Sequence, residues 1–192
     1  MSPRTSQQFQ EIREQKRKLI MESAMELFGR EGFYNTSISS IAQKAGISKG
    51  LMYNYFGSKE VLLRSIVLEG IQEMLESFDI NKDGELTRKE LLYFVDQLFS
   101  LLKSKTLYWK LYFSIVVQPQ VSRIISSDFK KILNPFLQIM KNYFAARGAE
   151  NPESEALFFL ALMDGLALNY IMNPDHFPLN EIREIIHKRF IK

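Results

Sequence analysis

The sequence predicts an all-α protein, a small N-terminal helical bundle followed by a larger helical body. Three observations predict it. Apolar residues recur at three- and four-residue spacing through most of the 192 residues, and no alternating strand pattern interrupts them. A glycine, a small capping residue or a proline stands at each break in that periodicity. The formal net charge of +3 lies wholly within residues 1–60, while the remainder of the chain sums to zero. A composition shift of that kind separates a basic N-terminal third from a neutral body.

Residues 1–8 are polar and are expected to lack regular structure. From Phe9 to Arg30, Ile12, Ile20, Ala24, Leu27 and Phe28 form one apolar stripe, and Arg13, Lys16, Arg17 and Lys18 lie opposite. Gly32 ends that helix, and Phe33 can fold back onto its last turn. Thr36 or Ser37 caps a second helix with Ile38, Ile41 and Ala42 inward, and Gly46 makes a tight turn. Ser48 caps a third helix with Met52 and Phe56 on its inner side, and Ser58 caps a fourth that runs to about Phe78. Helical patterns then cover roughly 87–104, 106–117, 121–146, 153–172 and 179–191, with Pro135 expected to break or bend the third of these. The domain division is placed at 1–62 and 63–192.

Composition excludes several functions. There is no cysteine, so disulfides, thiolate catalysis and sulfur-based zinc sites are ruled out. His176 and His187 are the two histidines, too few for a histidine-built metal or catalytic centre. No paired catalytic constellation emerges, so no enzyme is expected. No apolar run reaches the roughly 18 residues of a membrane span, and the N-terminus opens polar and charged, so a cytoplasmic protein without a membrane partner is expected. A polyanion would meet the basic third.

The turn at Gly46 joins two short amphipathic helices, the arrangement that presents a helix to the major groove of DNA. Gly50 removes a side chain where such a helix approaches a duplex. Lys49 offers a mobile cation to phosphate or a guanine edge, and Leu51 an apolar group for a thymine methyl. Tyr53 and Asn54 carry donors for phosphates or bases. Lys59 adds a cation beside the free N–H groups of the fourth helix, a phosphate-binding arrangement.

Four segments resemble the tetracycline-repressor (TetR) family of transcriptional regulators. They are Leu27-Phe28-Gly29-Arg30-Glu31-Gly32-Phe33, Thr36-Ser37-Ile38, the stretch Ile41 to Gly50, and Tyr53-Asn54-Tyr55-Phe56-Gly57-Ser58-Lys59-Glu60. The resemblance is contiguous and covers about a quarter of the chain strongly. It implies an N-terminal helix–turn–helix domain, a C-terminal ligand-binding and dimerisation domain, and a repressor released from a double-stranded operator by a small molecule. It further implies that Thr36 and Tyr53 contact phosphate and that Ser39 approaches a base.

By the same resemblance a homodimer forms through the last two helices, 153–172 and 179–191. The first of these is apolar on most of its circumference, which requires cover on two sides. An effector pocket is expected among Phe94, Leu98, Trp109, Tyr112, Phe113, Phe136, Met140, Tyr143, Phe144, Phe159 and Met163, with Asn169 and Gln118 as polar anchors. Such a lining favours an apolar or aromatic effector, although aromatic and methionine stripes at helical spacing equally describe a core.

Residues 79–90 stand apart. Asp79, Asn81 and Asp83, the turn glycine Gly84, the Glu85 carbonyl and Glu90 match an EF-hand calcium loop. A calcium-responsive regulator is the alternative reading. The metal-free reading is an Asp-Gly turn followed by a Thr87-x-x-Glu90 capping box, and both stay open at this point.

Overall fold

The computed structural model describes residues 5–79 and 81–191, and none of these residues lies in a strand. α1 spans Ser6–Glu31 and starts earlier than its apolar stripe. Thr5 and Gln8 form a reciprocal capping box that satisfies the first backbone donors. Of the polar stretch 1–8, residues 1–4 lie outside the described residues and Ser6 onward is helix. Gly32 ends α1 at a φ of 86°, donating its N–H to the Phe28 carbonyl, and the Phe33 ring returns to Phe28 at 5.2 Å.

α2 (Ile38–Lys44) and α3 (Lys49–Tyr55) are seven residues each, too short to persist alone in water. Caps and burial hold them. Ser37 and Ser40 cap α2 reciprocally, and Ser48 Oγ accepts the Leu51 N–H at the start of α3. α4 (Lys59–Leu75) starts where Ser58 Oγ accepts the Val61 N–H. α5 (Arg88–Ser104), α6 (Thr106–Val116), α7 (Pro119–Ala146), α8 (Pro152–Met172) and α9 (Leu179–Ile186) follow, and a π-helical turn at His187–Ile191 is the last described element.

α7 is not broken at Pro135, and its helix runs on through that residue. Proline removes one N–H and frees one carbonyl. Pro135 and Lys131, four residues earlier, are both exposed, so the freed carbonyl lies on a side of the helix that water reaches.

The helices form two compact units. The first runs to Glu69 and takes in Ser114–Ile125. Its core holds Ile20, Ala24, Phe28, Phe33, Ile41, Met52, Phe56, Leu62, Leu63 and Ile66, all buried. Gln118 staples the two stretches of this unit together. Its Nε2 donates to the Phe28 and Ser114 carbonyls at 3.2 and 3.0 Å, and its Oε1 accepts the Phe33 N–H at 3.1 Å.

The second unit holds Gly70–Phe113 and Ser126–Lys192. Its core gathers Phe78, Leu91, Phe94, Val95, Leu98, Leu102, Trp109, Tyr112, Phe136, Met140, Phe144, Phe159 and Met163. Asp96 on α5 ties α9 into this body. It accepts two bonds from Arg183, at 2.6 and 2.8 Å, and His187 lies 3.1 Å away. α8 is long and apolar enough to cross a membrane by length and composition, although no uncharged run of that length appears in the sequence. Asp164 sits within it. Only a third of its most apolar stretch is buried among the described residues.

Candidate nucleic-acid interface

The turn between α2 and α3 is built by Gly46 at a φ of 64°. Ala45 N–H bonds to Ile41 O at 2.9 Å and Ile47 N–H to Ala42 O at 3.0 Å, so the C-terminus of α2 is closed before α3 begins. Ile41, Ala42, Ala45, Met52 and Phe56 are buried and fix α3 from one side. At 100° per residue, Lys49, Tyr53, Gly50 and Asn54 then fall on one continuous arc away from Met52. All four are exposed, and Tyr53 is 47% accessible.

No side-chain hydrogen bond or ion pair to a described residue engages Lys49, Tyr53 or Asn54, so one cation and several donors are unspent on this arc. Ser39 is exposed at the start of α2, and Leu51 is half-buried at the edge of the arc. Gly50 has no neighbour within 4 Å of where a Cβ would stand, so packing within the described residues does not call for glycine there. Tyr34, in the turn between α1 and α2, is 71% exposed and joins this set of outward groups. Sequence spacing missed it because it lies in no periodic segment.

Two expected contacts are corrected. Thr36 is 1% exposed, and its hydroxyl donates to the Gly32 carbonyl at 2.9 Å. It closes the α1–α2 turn from inside, and its hydroxyl proton is spent there. Lys59 also turns inward. Its ammonium donates to the carbonyls of Phe33 and Thr36 at 2.8 Å each and of Tyr34 at 3.4 Å, and sits 4.4 Å from the centre of the Phe33 ring. An ammonium has three donors, and all three have acceptors here. Burial lowers the Lys59 pKa from its ordinary value. The neighbouring Glu60 carboxylate accepts from its own backbone N–H and from Ser58, which holds its pKa low and sets an anion at the start of α4. Lys59 therefore positions the α1–α2 turn.

The same unit carries further internal pairs. Lys44 meets Glu26 at 2.9 Å, and their hydrogen bond holds the Glu26 carboxyl below its usual range. Arg17 pairs with Glu69 and lies 5.5 Å from the centre of the Phe56 ring. Arg13 lies over Tyr55 at 5.9 Å. Of the N-terminal cations, Lys49 is thus the one on α3 left for an outside partner.

The expected effector residues are brought together in the second unit, where nearly all are buried. Phe94, Leu98, Trp109, Tyr112, Met140, Tyr143, Phe159 and Met163 are buried, and Phe113 is half-buried. Burial pushes the Tyr112 phenol far above its usual range. Both proposed anchors are corrected. Gln118 is spent on α1, as above, and Asn169 is exposed and donates to the Gly165 carbonyl of its own helix at 2.6 Å. Two open grooves of about 310 and 300 Å³ lie elsewhere in this unit. One is lined by Asn134, Gln138, Lys141 and Glu153, the other by Glu73, Glu76, Tyr93 and Gln97.

The loop at 79–90 folds on its own hydrogen bonds. Asp79 accepts the Gly84 N–H at 3.1 Å, Asn81 the Asp83 N–H at 3.2 Å, and Asp83 the Glu85 N–H at 2.8 Å. Glu90 and Thr87 complete the capping box of α5. Asp79 Oδ1 is buried and finds no hydrogen-bond partner among the described residues. Among the described residues, no three His, Cys, Asp or Glu side chains are grouped so as to hold a metal ion. The turn-and-cap reading accounts for the loop, and the calcium reading is without support.

Comparison with known proteins bears on both halves. Residues 20–66 match the model of bacterial regulatory proteins of the tetR family, and residues 87–190 match that of the BetI-type transcriptional repressor C-terminal region. The uncharacterized HTH-type transcriptional regulator YuxN of Bacillus subtilis is 49% identical over 53 residues, covering 28% of this chain and 18% of that one. Several other curated relatives are matched over less than half of their own length. HTH-type transcriptional regulator BetI of Vibrio vulnificus is 24% identical over 181 residues, 90% of this chain and 89% of that one. The crystal structure of the transcriptional regulator FadR from Bacillus subtilis in complex with stearoyl-CoA shares the fold. Its TM-score is 0.72 at 19% identity, over 91% of this chain and 97% of that one.

Proposed function

Because this chain belongs to the TetR family of bacterial DNA-binding transcriptional regulators, we propose that it is a repressor that reads its operator with the exposed arc of α3. TetR-family regulators bind DNA operators, act as dimers and bind small-molecule effectors. The observation that carries the reading is the unpaired state of Lys49, Tyr53 and Asn54 on a helix whose opposite side is buried. Lys49 serves a phosphate or a guanine edge, Tyr53 and Asn54 donate to backbone or base, and Ser39 approaches from α2. Gly50 lets the helix axis come close.

The homodimer forms through α8 and α9. Leu157, Phe158, Leu168 and Met172 on α8 and Ile185 on α9 are exposed. Gly165 has open space beside it, which suits a close helix crossing. The effector is a small apolar or aromatic molecule taken up by the aromatic interior of the second unit. FadR's stearoyl-CoA makes long-chain acyl-CoA the first class to assay. The protein acts in the cytoplasm.

The test is fluorescence anisotropy on duplex fragments from the promoter of its own gene, titrated with and without stearoyl-CoA. Binding that K49A weakens, and that an effector releases, supports the reading. Indifference of the wild-type protein to all duplex at low salt overturns it.

A further inference from the structure

α1 begins well before the core it helps to build. Its buried residues start at Ile20, and none of the residues from Ser6 to Leu19 is buried. The helix sorts its charge over that length. At 100° per residue, Arg13 and Lys16 lie within about 40° of Ile20, on the side that faces the bundle. Glu11, Glu14 and Lys18 lie about 120° or more away from it. Both carboxylates of this stretch are therefore on the far side, and two cations are on the near one.

Side-chain contacts show what the near side runs along. The Arg13 guanidinium lies over the Tyr55 ring at 5.9 Å, and Arg17, one turn on, lies over Phe56 at 5.5 Å. This side of α1 thus follows the C-terminal end of α3. Round α3 past Asn54 come Leu51 and then Tyr55, so Arg13 borders the outward arc. Arg13 and Arg17 differ in what else they do. Arg17 is paired with Glu69. No hydrogen bond or ion pair to a described residue engages Arg13 or Lys16. Arg13 is exposed and Lys16 half-buried. A guanidinium stacked on a ring is held in place with its in-plane N–H groups free, and that fork matches the oxygens of a phosphate.

We propose that the first turns of α1 are a second contact with the operator, in which Arg13, seated on Tyr55, forks onto a backbone phosphate beside the groove that α3 enters, and Lys16 pairs with a neighbouring one. The proposal rests on operator reading by α3 and adds to it cations outside the helix–turn–helix. Continuity with the α3 arc makes the partner the same duplex. Phosphates carry no base identity, so this contact sets affinity and register while α3 sets sequence.

The experiment uses the full chain and operator anisotropy across a salt series. R13A should bind at least about fivefold more weakly, and the slope of log K against log salt should fall by about one unit per half-site. R13A combined with K16A should lower it by about two. K18A removes the same charge from the far side of α1 and should keep the wild-type slope, because screening over about 8 Å at physiological salt isolates that side from the duplex. R13K keeps the charge without the fork, so it should hold the slope and lose affinity several-fold. Phosphate ethylation interference should identify positions that matter to wild type and not to R13A, distinct from those that K49A loses.

An unchanged slope in R13A overturns the proposal, as does an equal fall in K18A, which would make net charge the cause. If R13A melts below the assay temperature, K16A leaves the Tyr55 stack in place and carries the same one-unit expectation. An unchanged slope there overturns the proposal. A wild-type protein that binds no operator removes the reading of α3 and this proposal with it. A loss in K49A with none in R13A removes this proposal alone.

Discussion

α3 and α8 each leave a face uncovered, and they do so in opposite currencies. α3 buries Met52 and turns Lys49, Tyr53 and Asn54 to water without a side-chain partner among the described residues. α8 buries Phe159, Met163 and Ala167 and turns Leu157, Phe158, Leu168 and Met172 to water. Unspent hydrogen-bond donors and a cation are satisfied by a polyanion, whereas wet apolar surface is satisfied by another apolar surface. The contrast teaches that a binding face shows itself as a need the rest of the chain leaves unmet, and that the kind of need names the kind of partner.

The largest effect that would break this contrast is expected on α8. F158E combined with L168E places two carboxylates on the proposed dimer face. Sedimentation equilibrium should show monomers, and operator affinity should fall at least a hundredfold, by about 3 kcal/mol or more, because two half-sites are no longer held together. The melting temperature of the monomer itself should change little, since both positions are exposed. A dimer that survives the pair of changes places the interface elsewhere.

On α3, K49A should cost about 1–3 kcal/mol of operator binding without altering thermal stability. Y53F removes one hydroxyl and should cost about 0.5–1.5 kcal/mol. Equal affinity in Y53F would mean that the ring, rather than its hydroxyl, serves the interface. T36V should lower stability by about 1 kcal/mol in urea, through loss of its bond to Gly32, and leave the affinity of the folded fraction unchanged.

The smallest effect concerns pH. Lys44 holds the Glu26 carboxyl below its ordinary value. A depressed carboxylate contributes stability at pH above the unfolded value and loses it as pH falls through the folded one. E26Q should therefore narrow the stability loss seen on acidification below about pH 4.5. An identical acid transition in E26Q would mean that the exposed pair contributes nothing measurable.

Much of this was legible in the sequence because it depends on local rules. Helix periods, the caps at Ser48 and Ser58, the positive φ of Gly32 and Gly46, and the inward set Ile41, Ala42, Met52 and Phe56 follow from spacing and residue type. The direction taken by a polar side chain did not follow. Lys49 and Lys59 are the same residue ten positions apart near helix starts, yet one faces water and the other the carbonyls of Phe33 and Thr36. Those acceptors lie more than twenty residues away in sequence, beyond any local pattern. Gln118 is the same case at a separation of 85 to 90 residues.

The loop at 79–90 shows the converse. Its residues match a metal-binding pattern one by one, yet the same residue types close an Asp-Gly turn and cap a helix.

The most direct test of the central claim is a salt titration of operator binding by wild type, K49A and K59A. Each phosphate-facing cation adds about one unit to the slope of log K against log salt. The account predicts a slope lowered by about one unit in K49A and an unchanged slope in K59A, whose loss appears in the melting temperature instead. An unchanged slope in K49A together with a lowered slope in K59A would contradict it.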